Sequence, residues 1–144
     1  MRYCTLADIA KAIPPVTLLQ LSNDDPAAQQ PDESVIEDAV RAACELTDGY
    51  LRGRYSLPFD PVPTVLRAAA ISLVRYTLYS RRPETDLPDA VKDDRRNTIK
   101  LLESIRDGVV TLGLPSGKAT PEPGEIRVRA RRQRFGEGLW ERYE

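Results

Sequence analysis

The run TVLRAAAISLVRYTLYS, residues 64–80, constrains the fold more than any other part of the chain. Leu66, Ala69, Ala70, Leu73, Val74, Thr77 and Leu78 recur at helical intervals and make its main stripe. Val65, Ala68, Ile71 and Tyr76 widen that stripe until apolar side chains cover most of the circumference. A helix of this kind needs neighbours on several sides, so it is expected at the centre of an all-α domain. Pro63 suits the first helical position, where the missing amide has no partner to lose. Pro83 ends the region.

Three further segments read as its neighbours. CTLADIAKAIPP opens with a short helix: Thr5 and Asp8 have capping-box spacing, and Leu6, Ile9, Ala10 and Ile13 form its apolar side. Pro14 and Pro15 are expected to stop it, and the polar, proline-marked residues 21–32 to form a loop. The next helix starts near Asp32 or Ser34 and is expected to run to about Gly53–Tyr55. Ile36, Ala39, Val40, Ala43, Leu46, Thr47 and Tyr50 line its inner side, with Val35 and Ala42 beside them, while Glu33, Glu37, Asp38, Arg41 and Glu45 face water. The last begins near Pro88, carries Val91, Thr98, Leu101, Leu102 and Ile105 inward, and ends at Gly108, a good C-cap. The expectation is a small helical domain of about four helices.

Beyond Gly108 the texture changes. VVTLGLP has the composition of a short strand, and the Pro- and Gly-rich residues that follow read as a linker. In IRVRARRQRF, residues 126–135, Ile126, Val128 and Ala130 alternate with Arg127, Arg129 and Arg131, which is strand periodicity without a local partner. Arg132, Arg134 and Phe135 complete the segment. The division expected is a helical domain over residues 1–112, a linker over 113–125 and an arginine-rich, extended C-terminal arm over 126–144.

Composition narrows the chemistry. The chain has 144 residues and a formal net charge of −1, so it is not a bulk binder of nucleic acid. It contains no histidine, which removes Ser-His and Cys-His nucleophile pairs and His-based zinc sites. Cys4 and Cys44 lack metal-ligand spacing and read as small buried apolar residues. GLPSGKAT, residues 113–120, fails as a phosphate loop: its glycines are one residue too close, and Ala119 stands where a hydroxyl is required. No enzyme activity, cofactor or metal is expected. No apolar run reaches the roughly 20 residues of a membrane helix, and the start lacks a long apolar signal segment, so synthesis in a cytoplasm is expected.

The stretch LTDGYLRGRYSLPFDPVP, residues 46–63, places two glycines where a helix should be ending. A glycine inside a helix costs about 1 kcal/mol against alanine, so Gly49 needs an offsetting gain, such as close approach of another helix or chain. Gly53 can end or bend the helix. Tyr50 and Tyr55 have apolar rings and polar tips suited to half-buried contacts. Arg52 and Arg54 sit where a helix C-terminus favours cations. The same residues also read as a plain helix end with aromatic core side chains, and the residues alone leave both readings open.

DGYLRGRYSLP (48–58), Val62–Pro63 opening the next helix and RYTLY (75–79) near its end together resemble the head–tail connector proteins of Mu-like phages and prophages. These are similar to the wider group of tailed-phage adaptor, or head-completion, proteins. The likeness extends more weakly to YCTLADI and to LLESIRDGVVTLG, covering most of residues 3–113. The resemblance implies a non-enzymatic structural protein of the virion, placed at the head–tail junction or neck. It implies a ring, a dodecamer matching the portal, with the portal protein, a tail or neck protein and packaged DNA in the lumen as partners. A small helical DNA-binding regulatory protein is the competing expectation.

Charge asymmetry bears on assembly independently. Residues 22–45 hold seven acids, Asp24, Asp25, Asp32, Glu33, Glu37, Asp38 and Glu45, against the single base Arg41. Residues 126–135 hold five arginines and no acid. Head-to-tail contacts require two different, complementary patches on each subunit, and opposite charge steers such contacts. The expected interface therefore comprises Gly49, Tyr50, Arg52, Gly53, Arg54 and Tyr55 with the arm, and Asp24, Asp25, Asp32, Glu33, Glu37 and Asp38 as the acidic counter-patch. Some of these acids equally suit a helix N-terminus.

Overall fold

A computed structural model describes residues 1–115. They form five helices: α1 (Leu6–Ala12), α2 (Pro15–Ser22), α3 (Glu33–Leu51), α4 (Thr64–Ser80) and α5 (Asp89–Asp107). No strand occurs among the described residues. The expected linker from residue 116 onward and the arm lie outside them.

α4 is the hub: it packs against α1, α2, α3 and α5. Leu66, Leu73, Val74 and Leu78 on it are buried, facing Ile36 and Val40 of α3 and Leu102 and Ile105 of α5, which are buried too. The broad apolar circumference thus finds the several partners it requires. Its exposed remainder is narrow, with Val65 at 41%.

Each helix end has a local cause. At α1 the capping box forms as its spacing predicts: the Asp8 amide donates to Thr5 Oγ1 at 3.3 Å, and the Thr5 amide donates to Asp8 Oδ2 at 2.9 Å. Asp32 caps α3, its carboxylate accepting from the Ser34 and Val35 amides. The Ser34 hydroxyl and amide hold the Asp32 carboxyl below the usual carboxylate range. Gly108 closes α5 in the left-handed region, φ 85°.

Four expectations change. Pro14 and Pro15 end α1 but also begin α2, so the proline pair that stops one helix starts another. Pro15 stands at the first helical position, where a proline loses nothing, and Leu18 and Leu21 give the short helix its buried side. α3 stops at Leu51 rather than Gly53–Tyr55, because the Arg54 and Tyr55 amides both turn back to the Leu51 carbonyl, at 3.0 and 2.9 Å. The inner stripe of α3 is also rotated: Cys44, Asp48 and Leu51 are buried, whereas Ala42 and Leu46 are exposed. Finally, VVTLGLP is not a strand. Gly108 and Gly113 both take positive φ, and the Val110 amide returns to the Ser104 carbonyl at 3.1 Å, so the segment curls under α5.

With Leu73 buried at the centre of α4, Leu73→Ala is expected to lower unfolding free energy by about 2–5 kcal/mol. Urea denaturation measures this; a loss well under the lower value would mean that α4 is not the packing hub.

Candidate assembly surfaces

The motif DGYLRGRYSLP forms a corner where the chain start, the end of α3 and the end of α5 meet. Asp48 is buried inside it, with the Tyr3 hydroxyl donating to its Oδ1 at 2.6 Å and the Met1 ammonium paired to its Oδ2. Burial, followed by the bond to Asp48, pushes the Tyr3 hydroxyl far above the ordinary tyrosine range. A buried carboxylate left without such partners would cost several kcal/mol, about 3–5 when one partner is removed. Beside it, the Tyr3 amide donates to Cys44 Sγ at 3.4 Å. Cys4 and Cys44 are both free and buried.

The expected interface residues divide here. Tyr55 is buried within its own chain rather than offered to a partner, being 4% exposed. Its ring meets Phe59 edge-on at 5.8 Å, and its hydroxyl accepts from the Leu112 amide at 3.1 Å. Tyr50 is half-buried, with Arg106 over its ring at 5.7 Å. Arg54 lies over the Tyr55 ring and against Gly108, so it ties α3 to the end of α5. Gly49, Arg52 and Gly53 remain exposed. Among the described residues nothing lies within 4 Å of the point where a Cβ would stand on Gly49 or Gly53, so neither glycine serves a close approach there.

The acidic counter-patch is partly committed inside the chain. Asp24 pairs with Arg81 at 3.0 Å, and the same guanidinium donates to the Leu21 carbonyl, so α4 clamps the end of α2. Glu37 takes a two-pronged bond from Arg2, both contacts 2.9 Å. Asp38 pairs with Arg41 at 2.9 Å, Asp32 is a cap, and Asp25 accepts from the Ala27 amide. Glu33 is exposed. Ile126, Arg127, Val128, Arg129, Arg131, Arg132, Arg134 and Phe135 lie outside the described residues. Among the described residues no cluster of three or more Cys, Asp or Glu could hold a metal ion, and no helix is long and apolar enough to cross a membrane.

Sequence reasoning missed Asp48 and Arg81. The signal for Asp48 was present: it stands four residues after Cys44 and three before Leu51, on the buried stripe. Arg81 had no comparable signal, since its acceptors come from α2, about 60 positions earlier. Because the Tyr55 hydroxyl holds the chain leaving α5, Tyr55→Phe is expected to destabilise the domain by about 1 kcal/mol. Thermal unfolding with unchanged circular dichroism checks it.

The sequence matches the family model described as Bacteriophage Mu, Gp36 over residues 3–130. It is 36% identical over 97 residues to the Mu-like prophage FluMu protein gp36 of Haemophilus influenzae, covering 67% of this chain and 66% of that protein. It is 30% identical over 128 residues to Gene product J of Escherichia phage Mu, covering 89% of this chain and 88% of that one. The matched span takes in all five helices and the corner motif that binds them together, and on that ground the chain belongs to the Bacteriophage Mu Gp36 family.

Proposed function

We propose that this Mu-family phage protein is a structural component of the particle, a head–tail connector that assembles as a ring beneath the portal. Its contacts would be with copies of itself, with the portal and with a tail or neck protein, and packaged DNA would cross its lumen. The observation that carries the reading is the exposed end of α3. Gly49 sits in a helix at a cost of about 1 kcal/mol, yet nothing among the described residues uses the space it leaves. A second chain is what such a position suits.

The competing reading, a DNA-binding regulator, needs a helix free to enter a groove of the duplex. α4 is buried against four others, and α3 has an acidic outer face. Both features favour assembly over duplex recognition. The direct test is location: antibody-labelled particles should carry the protein at the neck, and a disrupted gene should yield separate heads and tails. Label confined to the infected cell and absent from particles would overturn the reading.

Gly49→Leu is expected to leave the isolated chain as stable as wild type or slightly more so, because the added side chain meets open space. Head–tail joining should fall sharply in the same variant. Denaturation and infectious titre together decide it; a normal titre would return Gly49 to the role of an ordinary helix residue. For the arm, truncation after Gly124 should leave the helical domain folded and head–tail joining poor. The five arginines of residues 126–135 would otherwise bind acidic groups on a neighbour or the portal. Normal particles from the truncated gene would remove the arm from the mechanism.

A further inference from the structure

Residues 1–5 precede α1 and lie against α3 as a strap, tied down at several points. The Arg2 guanidinium forks onto Glu37, and the Tyr3 hydroxyl and Met1 ammonium hold Asp48. Between these anchors the Tyr3 amide donates to Cys44 Sγ at 3.4 Å. Cys4 is the next residue along the strap, and its own amide and thiol also bear on the Cys44 sulfur. Both side chains are sealed in the core, Cys4 at 1% exposure and Cys44 at 5%. They are the two cysteines of the chain, and both are free thiols.

Packing alone does not account for this pair. Any small apolar side chain would fill either place, whereas here two sulfurs meet with a backbone amide aimed at one of them. An N–H bond to sulfur favours the thiolate, the nucleophile of disulfide chemistry. Burial opposes ionisation, so reaction belongs to the moments when the strap lifts. The strap contains no helix and can open without unfolding the bundle, exposing both thiols together. When it settles again, sulfur returns to sulfur.

We infer that Cys4 and Cys44 are a disulfide-forming pair, a site of oxidation by low-molecular-weight disulfides that staples the strap to α3. The Cys44 thiolate attacks one sulfur of the reagent and breaks its S–S bond. One reagent thiolate leaves and takes up the proton that Cys44 lost. The Cys4 thiolate then attacks the Cys44 sulfur of the mixed disulfide, and the second reagent thiolate leaves with the proton from Cys4. Two electrons pass from the cysteines to the reagent, whose disulfide becomes two thiols.

The staple closes a loop of about 40 residues that contains α1, α2 and much of α3, and so restricts the unfolded chain. A reducing cytoplasm keeps the two thiols apart. For a component of a released particle, the role proposed above, the staple would close after assembly, on passage from the cell into an oxidising medium. That timing rests on the connector reading; the site itself does not.

The test uses the full chain, purified with reductant and then equilibrated with oxidised glutathione. Mass spectrometry is expected to show a monomer lighter by about 2 Da, the two thiol hydrogens. Proteolysis should release the Cys4 and Cys44 peptides joined. The thermal midpoint should rise by about 10 °C and return to its starting value with dithiothreitol. In Cys4→Ala the same treatment should give no rise. Reduced and oxidised wild type are compared directly, so the outcome does not depend on a variant folding. Disulfide-linked dimers, a glutathione adduct that persists on either thiol, thiols that stay free, or a linked chain whose midpoint does not rise overturn the inference. Chains taken from released particles and alkylated at once should carry the joined peptides. Particle chains with both thiols alkylated would overturn the inference and leave the connector reading standing. A purified chain that links while no copy is found in particles would sink that reading and keep the site.

Discussion

The rest of the molecule depends on the burial of α4. Leu66, Leu73, Val74 and Leu78 are shielded by side chains from four other helices, so no pair of helices closes the core alone. At about 1.5–3 kcal/mol per buried aliphatic side chain, these four residues contribute a gross stabilisation comparable to a domain's whole net stability of roughly 5–15 kcal/mol. Conformational entropy opposes most of it. This is why α1 and α2, too short to persist alone, are ordered: each adds a small apolar side to a surface already organised by α4.

A second organising interaction is polar. Asp48 draws the Tyr3 hydroxyl and the Met1 ammonium into the end of α3, and Tyr55 and Arg54 reach from the same corner to the chain leaving α5. A buried carboxylate is held in one place because each partner it loses is costly. The motif that first suggested an interface thus does much of its work inside the chain. What it leaves outside is Gly49, Arg52 and Gly53, an exposed end beside an acidic face. Fixing the corner internally also fixes the outward direction of that face, which a subunit joining others head to tail requires.

Charge is divided in the same manner. Asp24, Asp32 and Glu37 are taken up by Arg81, by a helix cap and by Arg2. A tally of acids along residues 22–45 therefore overstates what a partner would meet. Glu45 on α3 and Arg95 and Lys100 on α5 are left without opposite charges among the described residues.

Periodicity and punctuation by themselves determined the all-α class, the central place of residues 64–80, the capping box at Thr5 and the stop at Gly108. These are local: a side chain's position around a helix, or a cap's bond three residues away, follows from spacing alone. Tertiary structure decided the rest. Whether Pro15 merely ends one helix or starts another depended on a buried site for Leu18 and Leu21. Whether Tyr55 served a partner or its own chain depended on the Leu112 amide, 57 positions away. Leu46 shared its apolar character with Leu51, yet packing chose Leu51 for the core: the two stand about 140° apart around the helix, and α4 and α5 set where the inner face lies.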